Sequence, residues 1–158
     1  MKFARIVLLD VSDANSFPLA AESGEWAITG TFAFAQTDPA TLTNKEQLAF
    51  RNGWLGASSF GRATFTEVAV IPTEQLEDVV RRIAGHLHEQ FGAPDMLAAL
   101  DAARQEVDDM ASLCDHPAGT LLSIERTFTD DGISEAVRFM PRSEGEDHAR
   151  IWSLVEED

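Results

Sequence analysis

Residues 73–114 carry two helix-length stripes of apolar side chains separated by Gly92 and Pro94, and this central block narrows the possible architectures more than any other stretch. Thr73 stands at a capping position with Glu74 in the first turn. Leu76, Val79, Val80, Ile83, Leu87 and Phe91 then recur at steps of three and four, the spacing of one helix face. Gly92 and Pro94 stop that helix, because glycine tolerates a left-handed terminal residue and proline cannot continue the hydrogen-bond ladder. Asp95 caps a second helix bearing Leu97, Leu100, Val107, Met110 and Leu113 or Cys114. A connection this short folds the two helices back on each other as an antiparallel hairpin.

On both sides of the hairpin the period changes from helical to extended. Residues 2–10 are apolar on both parities (Phe3, Ile6, Val7, Leu8, Leu9), as in a central strand covered on both faces. Residues 11–24 read as a loop. Residues 25–35 read as one bent strand or two short ones around Thr29-Gly30-Thr31. Thr43 precedes Glu46 by three positions, a capping-box spacing, so a helix is expected from Asn44 to about Trp54. Residues 61–71 read as a strand stopped by Pro72. Residues 119–128 and 133–140 alternate around Asp131-Gly132, a type I′ hairpin signal that places Phe128 opposite Glu135 and Arg126 opposite Val137. Strands at both ends with helices grouped between them predict an α+β domain over 1–158. Its mostly antiparallel sheet has four to six strands, the helical hairpin packs on one face, and residues 142–158 form an acidic, loose tail in which Ile151, Trp152, Leu154 and Val155 can dock.

Charge limits the partners. The formal net charge is −15, and residues 73–116 hold 10 acidic against 3 basic side chains. Such a field disfavours polyanionic nucleic acid and anionic membrane surfaces and suits a cationic partner. No apolar run reaches membrane-spanning length, and the short apolar start is followed at once by Asp10 and Asp13, unlike a secretory leader. The single cysteine, Cys114, excludes an internal disulfide. Together these features predict a cytoplasmic protein.

Fingerprints of catalysis are scarce. The glycines of Gly53-Trp54-Leu55-Gly56 and Phe60-Gly61-Arg62 match no phosphate-binding loop. His86 and His88 lie two apart on a helix, so their side chains diverge. Cys114-Asp115-His116 is the best local cluster of ligand-type atoms, with His148 as a further ligand from elsewhere. The same residues would serve a cysteine nucleophile with His116 as base. The stripe on the second helix instead assigns Cys114 to the core.

The chief anomaly is charge at strand positions whose parity points inward. Arg5 falls with Phe3 and Val7, Arg126 with Ile124 and Phe128, Glu67 with Phe65 and Ile71, and Glu135 with Ile133 and Val137. Lone buried charges are costly, so these residues should form cross-strand ion pairs at a sheet rim or line a polar pocket. Arg5, Arg62 and Arg126 would make such a pocket anion-binding if their guanidinium groups converged. Trp26, Trp54, Phe60 and Trp152 fall in or beside expected loops and the tail, where exposed aromatics serve as interface anchors.

Met1-Lys2-Phe3-Ala4-Arg5-Ile6-Val7-Leu8-Leu9-Asp10, Gly24-Glu25-Trp26-Ala27-Ile28, Asn52-Gly53-Trp54-Leu55-Gly56, Ser59-Phe60-Gly61-Arg62-Ala63-Thr64-Phe65 and His116-Pro117-Ala118-Gly119-Thr120-Leu121-Leu122 together resemble a small family of uncharacterised bacterial proteins. The resemblance implies a bacterial cytoplasmic origin and carries no activity, cofactor or catalytic residue. The expected function is a non-catalytic binding or accessory protein acting through protein–protein contacts or self-association as a homo-oligomer. The candidate binding residues are Arg5, Arg62, Arg126, Glu67, Glu135 and Trp54. The alternative is a small metal-assisted or cysteine-dependent enzyme at Cys114, Asp115 and His116.

Overall fold

A computed structural model describes residues 1–9, 13–141 and 155–156. The elements in chain order are β1 (Lys2–Val7), α1 (Asp13–Ser16), β2 (Trp26–Ile28), β3 (Trp54–Gly56) preceded by α2 (Asn44–Asn52), β4 (Arg62–Ala63), β5 (Phe65–Val70), α3 (Thr73–Gln90), α4 (Met96–Leu113), β6 (Leu121–Thr129), β7 (Gly132–Met140) and β8 (Val155–Glu156). All strands join one antiparallel sheet in the order β4-β3-β2-β1-β5-β6-β7-β8. The fold is α+β, but among the described residues the sheet has eight strands rather than four to six. The expected strand over 61–71 divides into β4 and β5, Val155 of the expected docking segment joins β8, and β3, three residues long, falls where the helix was expected to end.

The sheet is curled. Trp54 on β3 donates its indole N–H to the carbonyl of Leu122 on β6 at 3.2 Å, although β2, β1 and β5 lie between those strands in the sheet. α2 runs into β3 and packs against β6 across the same opening, where the Phe50 and Phe128 rings stack. α3 and α4 pack on each other, and α4 lies against β1 and β2. The core takes Phe3, Ala4 and Ile6 from β1, which confirms a strand covered on both faces.

Three local readings shift. The capping box of Thr43 and Glu46 starts α2 as expected, but that helix stops at Asn52 and Trp54 opens a strand. The buried line of α4 runs through Ala99, Ala103, Val107, Met110 and Cys114, while Leu97 is 70% exposed. Small side chains at Ala99 and Ala103 thus share the buried line that Leu97 and Leu100 were expected to fill. The β6–β7 loop is Asp130-Asp131, with Thr129 opposite Gly132 and Arg126 opposite Glu135. Gly132, at φ 133°, supplies the unusual backbone as the first paired residue. A shift of two residues preserves parity, so Leu122, Ile124, Val137 and Phe139 stay on the buried face as expected.

Among the described residues no helix is long and apolar enough to cross a membrane. The expected tail at 142–154, with Ile151, Trp152 and His148, lies outside the described residues. Val155–Glu156 pairs with β7 as an edge strand.

Candidate functional site

The break at Thr29-Gly30-Thr31 organises the most unusual chemistry in the molecule. Gly30 sits at φ 72°, and a Cβ built there would lie 2.4 Å from Leu55 Cβ and 2.8 Å from Arg62 Nη1. Only glycine combines that backbone with that proximity. The turn then tightens into a 3₁₀ segment, Thr31–Phe34.

Two arginines from distant strands close on this turn. Arg62 of β4 donates Nη1–H groups to the carbonyls of Thr29 (3.3 Å) and Gly53 (3.1 Å), and Nη2–H to that of Gly30 (3.0 Å). Arg126 of β6 donates Nη1–H groups to Phe50 O (2.7 Å) and Ala49 O (3.4 Å), and Nη2–H to Thr29 O. Its Nε–H goes to Thr31 Oγ1 at 2.7 Å, and that hydroxyl donates to Glu135. Ala49, Phe50 and Gly53 stand at the C-terminal end of α2, where carbonyls lack helical partners and the helix dipole is negative. The guanidinium groups therefore cap a helix as well as pin a turn. Both lie over the Phe34 ring, at 4.9 and 5.8 Å from its centroid. Burial, helped by the like charge of Arg126, pushes Arg62 down to about 9. Burial pushes Arg126 down to about 10 against the opposing pull of Glu135. Both remain charged at neutral pH.

The other expected site residues are dispersed. Arg5 pairs with its cross-strand neighbour Glu67 at 3.6 Å and lies over the Trp26 ring, away from the Arg62–Arg126 cluster. Three converging arginines are thus corrected to two, because Arg5 occupies a different strand neighbourhood. Trp54 is fully buried with its indole N–H satisfied, so it is a core residue and no surface anchor. Trp26 is half-buried and donates to Gln75 Oε1 at 2.7 Å. Cys114 is buried, and burial raises its thiol to about 12, the opposite of what a nucleophile or thiolate ligand needs. Asp115 is exposed and His116 lies against the Phe139 ring. Among the described residues no group of three His, Cys, Asp or Glu side chains has metal-holding geometry.

Two open spaces flank the pinned turn. Between α4 and β7 runs a groove of about 630 Å³, bordered by Ser112, Leu113, Asp115, His116 and Glu135 over Val137 and Phe139. Through Ser112, Leu113 and Glu135 it joins a second space of about 430 Å³ beside Thr31, Phe32, Glu106 and Asp109. Among the described residues neither space has a lysine or arginine in its walls. Burial, then the charges of Asp109 and Glu135, raises the Glu106 carboxyl to about 7. On the other side, an apolar pocket of about 290 Å³ lies among Leu19, Phe34, Leu42, Phe60, Glu46 and Arg62. Sequence reasoning missed Thr31 and Phe34 and read Glu106 as part of a solvated acidic helix face. Their significance arises from contacts across the chain, and the one local signal was the glycine between two threonines.

Fold and site together define an acidic α+β protein in which a curled antiparallel sheet holds two buried arginines between open clefts. The chain belongs to a family of unknown function (DUF6505), whose family model matches residues 1–155. No curated protein and no solved structure matches it.

Proposed function

We propose that this chain is a non-catalytic binding or accessory protein of the cytoplasm, acting through protein–protein contacts, and that the groove between α4 and β7 receives a cationic segment of its partner. The observation that carries this reading is the gathering of Glu106, Asp109 and Glu135 beside the groove with no basic side chain among the described residues of its walls, where burial, then the neighbouring charges, raises the Glu106 carboxyl to about 7. An ammonium or guanidinium group seated there would relieve the mutual repulsion of the carboxylates. The apolar floor of Val137 and Phe139 suits the stem of a lysine or arginine. Self-association is assigned to another surface, the α3–α4 turn, where Phe91, Met96 and Leu97 are exposed together.

The test titrates labelled Lys/Arg-rich, neutral and Glu-rich peptides of equal length into the protein. Saturable binding of the basic peptide alone is expected, weakened about tenfold by the pair Glu106→Gln and Asp109→Asn, equal to about 1.4 kcal/mol. Equal affinity for all three peptides, or no effect of the paired substitution, overturns the reading. Sedimentation showing a monomer at high protein concentration removes the self-association part.

A further inference from the structure

The pocket on the opposite side of the pinned turn has a different chemistry. Its walls are Leu19, Phe34, Leu42 and Phe60, with Arg62 and Glu46 as the charged groups. Arg62 is only 7% exposed, so it is a built part of the interior rather than a surface charge. A guanidinium group has five N–H donors. Three are committed to the carbonyls of Thr29, Gly53 and Gly30. One Nη2–H and the Nε–H remain, and among the described residues neither has an acceptor. These two nitrogens are the pair whose N–H groups take a carboxylate side-on.

Arg62 is itself one of the residues that line the cavity. The charge is likewise uncompensated: no ion pair joins Arg62 to a described carboxylate, and Arg126 adds a second positive charge nearby. Glu46 on the same wall is occupied, its carboxylate accepting from the Thr43 backbone N–H at 2.9 Å. Its presence disfavours a dianion.

We propose that this pocket binds a small apolar monocarboxylate, with the carboxylate on the free edge of Arg62 and the hydrocarbon part among Leu19, Phe34, Leu42 and Phe60. Donors fixed in advance by backbone carbonyls, beside apolar walls, are the arrangement that orients such a ligand. The site is separate from the acidic groove and does not depend on it.

Calorimetric titration of the full chain with hexanoate, octanoate and cinnamate, each beside its primary amide and with acetate as the tail-less control, tests the proposal. At least one of the three acids is expected to bind saturably and at least tenfold more tightly than its amide, with acetate much weaker. Leu42→Trp fills the pocket without touching the arginines. It should abolish binding while the melting curve keeps its shape. Glu106→Gln with Asp109→Asn, which removes two carboxylates beside the groove, should leave carboxylate binding unchanged. Absence of saturable binding for all three acids overturns the proposal, as do equal affinities for acid and amide or full binding by a folded Leu42→Trp protein.

Discussion

Arg5 and Arg126 begin from the same position in the sequence pattern and end in different physical states. Each lies at an inward position of a strand, each faces a glutamate directly across the ladder, and each stands within 4 Å of that glutamate, at 3.6 and 3.7 Å. The Arg5 side chain is nevertheless 42% exposed, whereas that of Arg126 is 0% exposed. The glutamate does not explain the contrast. What Arg126 has and Arg5 lacks is the C-terminal end of α2 and the Thr29 carbonyl within reach. A guanidinium can be taken out of water when backbone acceptors already fixed in place replace its hydration, and an ion pair alone is a poor substitute.

Four experiments break or sharpen that comparison. Arg126→Met removes a buried charge but strands the Phe50 carbonyl and leaves that of Thr29 with Arg62 alone. It should cost about 3–5 kcal/mol in urea denaturation. A loss below about 1 kcal/mol would mean that the carbonyls find other donors and that the contrast with Arg5 is illusory. Gly30→Ala attacks the same turn from the backbone side, through its left-handed φ and the 2.4 Å approach to Leu55 Cβ. Its cost should be about 2–4 kcal/mol, read by the same method.

Next comes Glu106, whose folded-state value of about 7 lies above the ordinary value for an unfolded glutamate. Folding therefore favours its protonated form. The associated stability is fully present below about pH 4.3 and is lost as pH rises through about 7. Because the side chain is partly screened by solvent, the loss should be about 1–2 kcal/mol across that window. Glu106→Gln should flatten the pH dependence, and an unchanged slope would refute the crowding at the groove. The smallest effect belongs to Arg5→Met with Glu67→Gln. A double-mutant cycle should give a coupling below about 1 kcal/mol, as for an exposed pair. A coupling comparable with the loss at Arg126 would restore the ion pair as the common cause.

Much of the frame was legible because it rests on local periodicity. The two central helices, the capping box at Thr43 and Glu46, and the parity of residues 121–140 all follow from spacing within one element. β3 was not legible, since three residues following a helix cannot display a period, and the bounds of β2 and β4 were overrun for the same reason. The buried line of α4 was misread because Ala99 and Ala103 owe their importance to the closeness of α3 rather than to their own hydrophobicity. In the candidate site, inward parity drew attention to Arg126 and Glu135 without indicating that α2 would supply the acceptors. Arg62 was visible only as an arginine beside a glycine. Phe34 and Glu106 acquire their roles from neighbours tens of residues away.

The pinned turn also has a bearing on how the chain is made. Thr29 and Phe50 leave the ribosome early, yet the side chain that satisfies both carbonyls arrives 97 and 76 residues later. A nascent chain that ends before β6 therefore lacks the guanidinium that Phe50 accepts from and the strand that Trp54 must reach. The interior closes only after β6 has been made, and contacts this distant in sequence form late in folding.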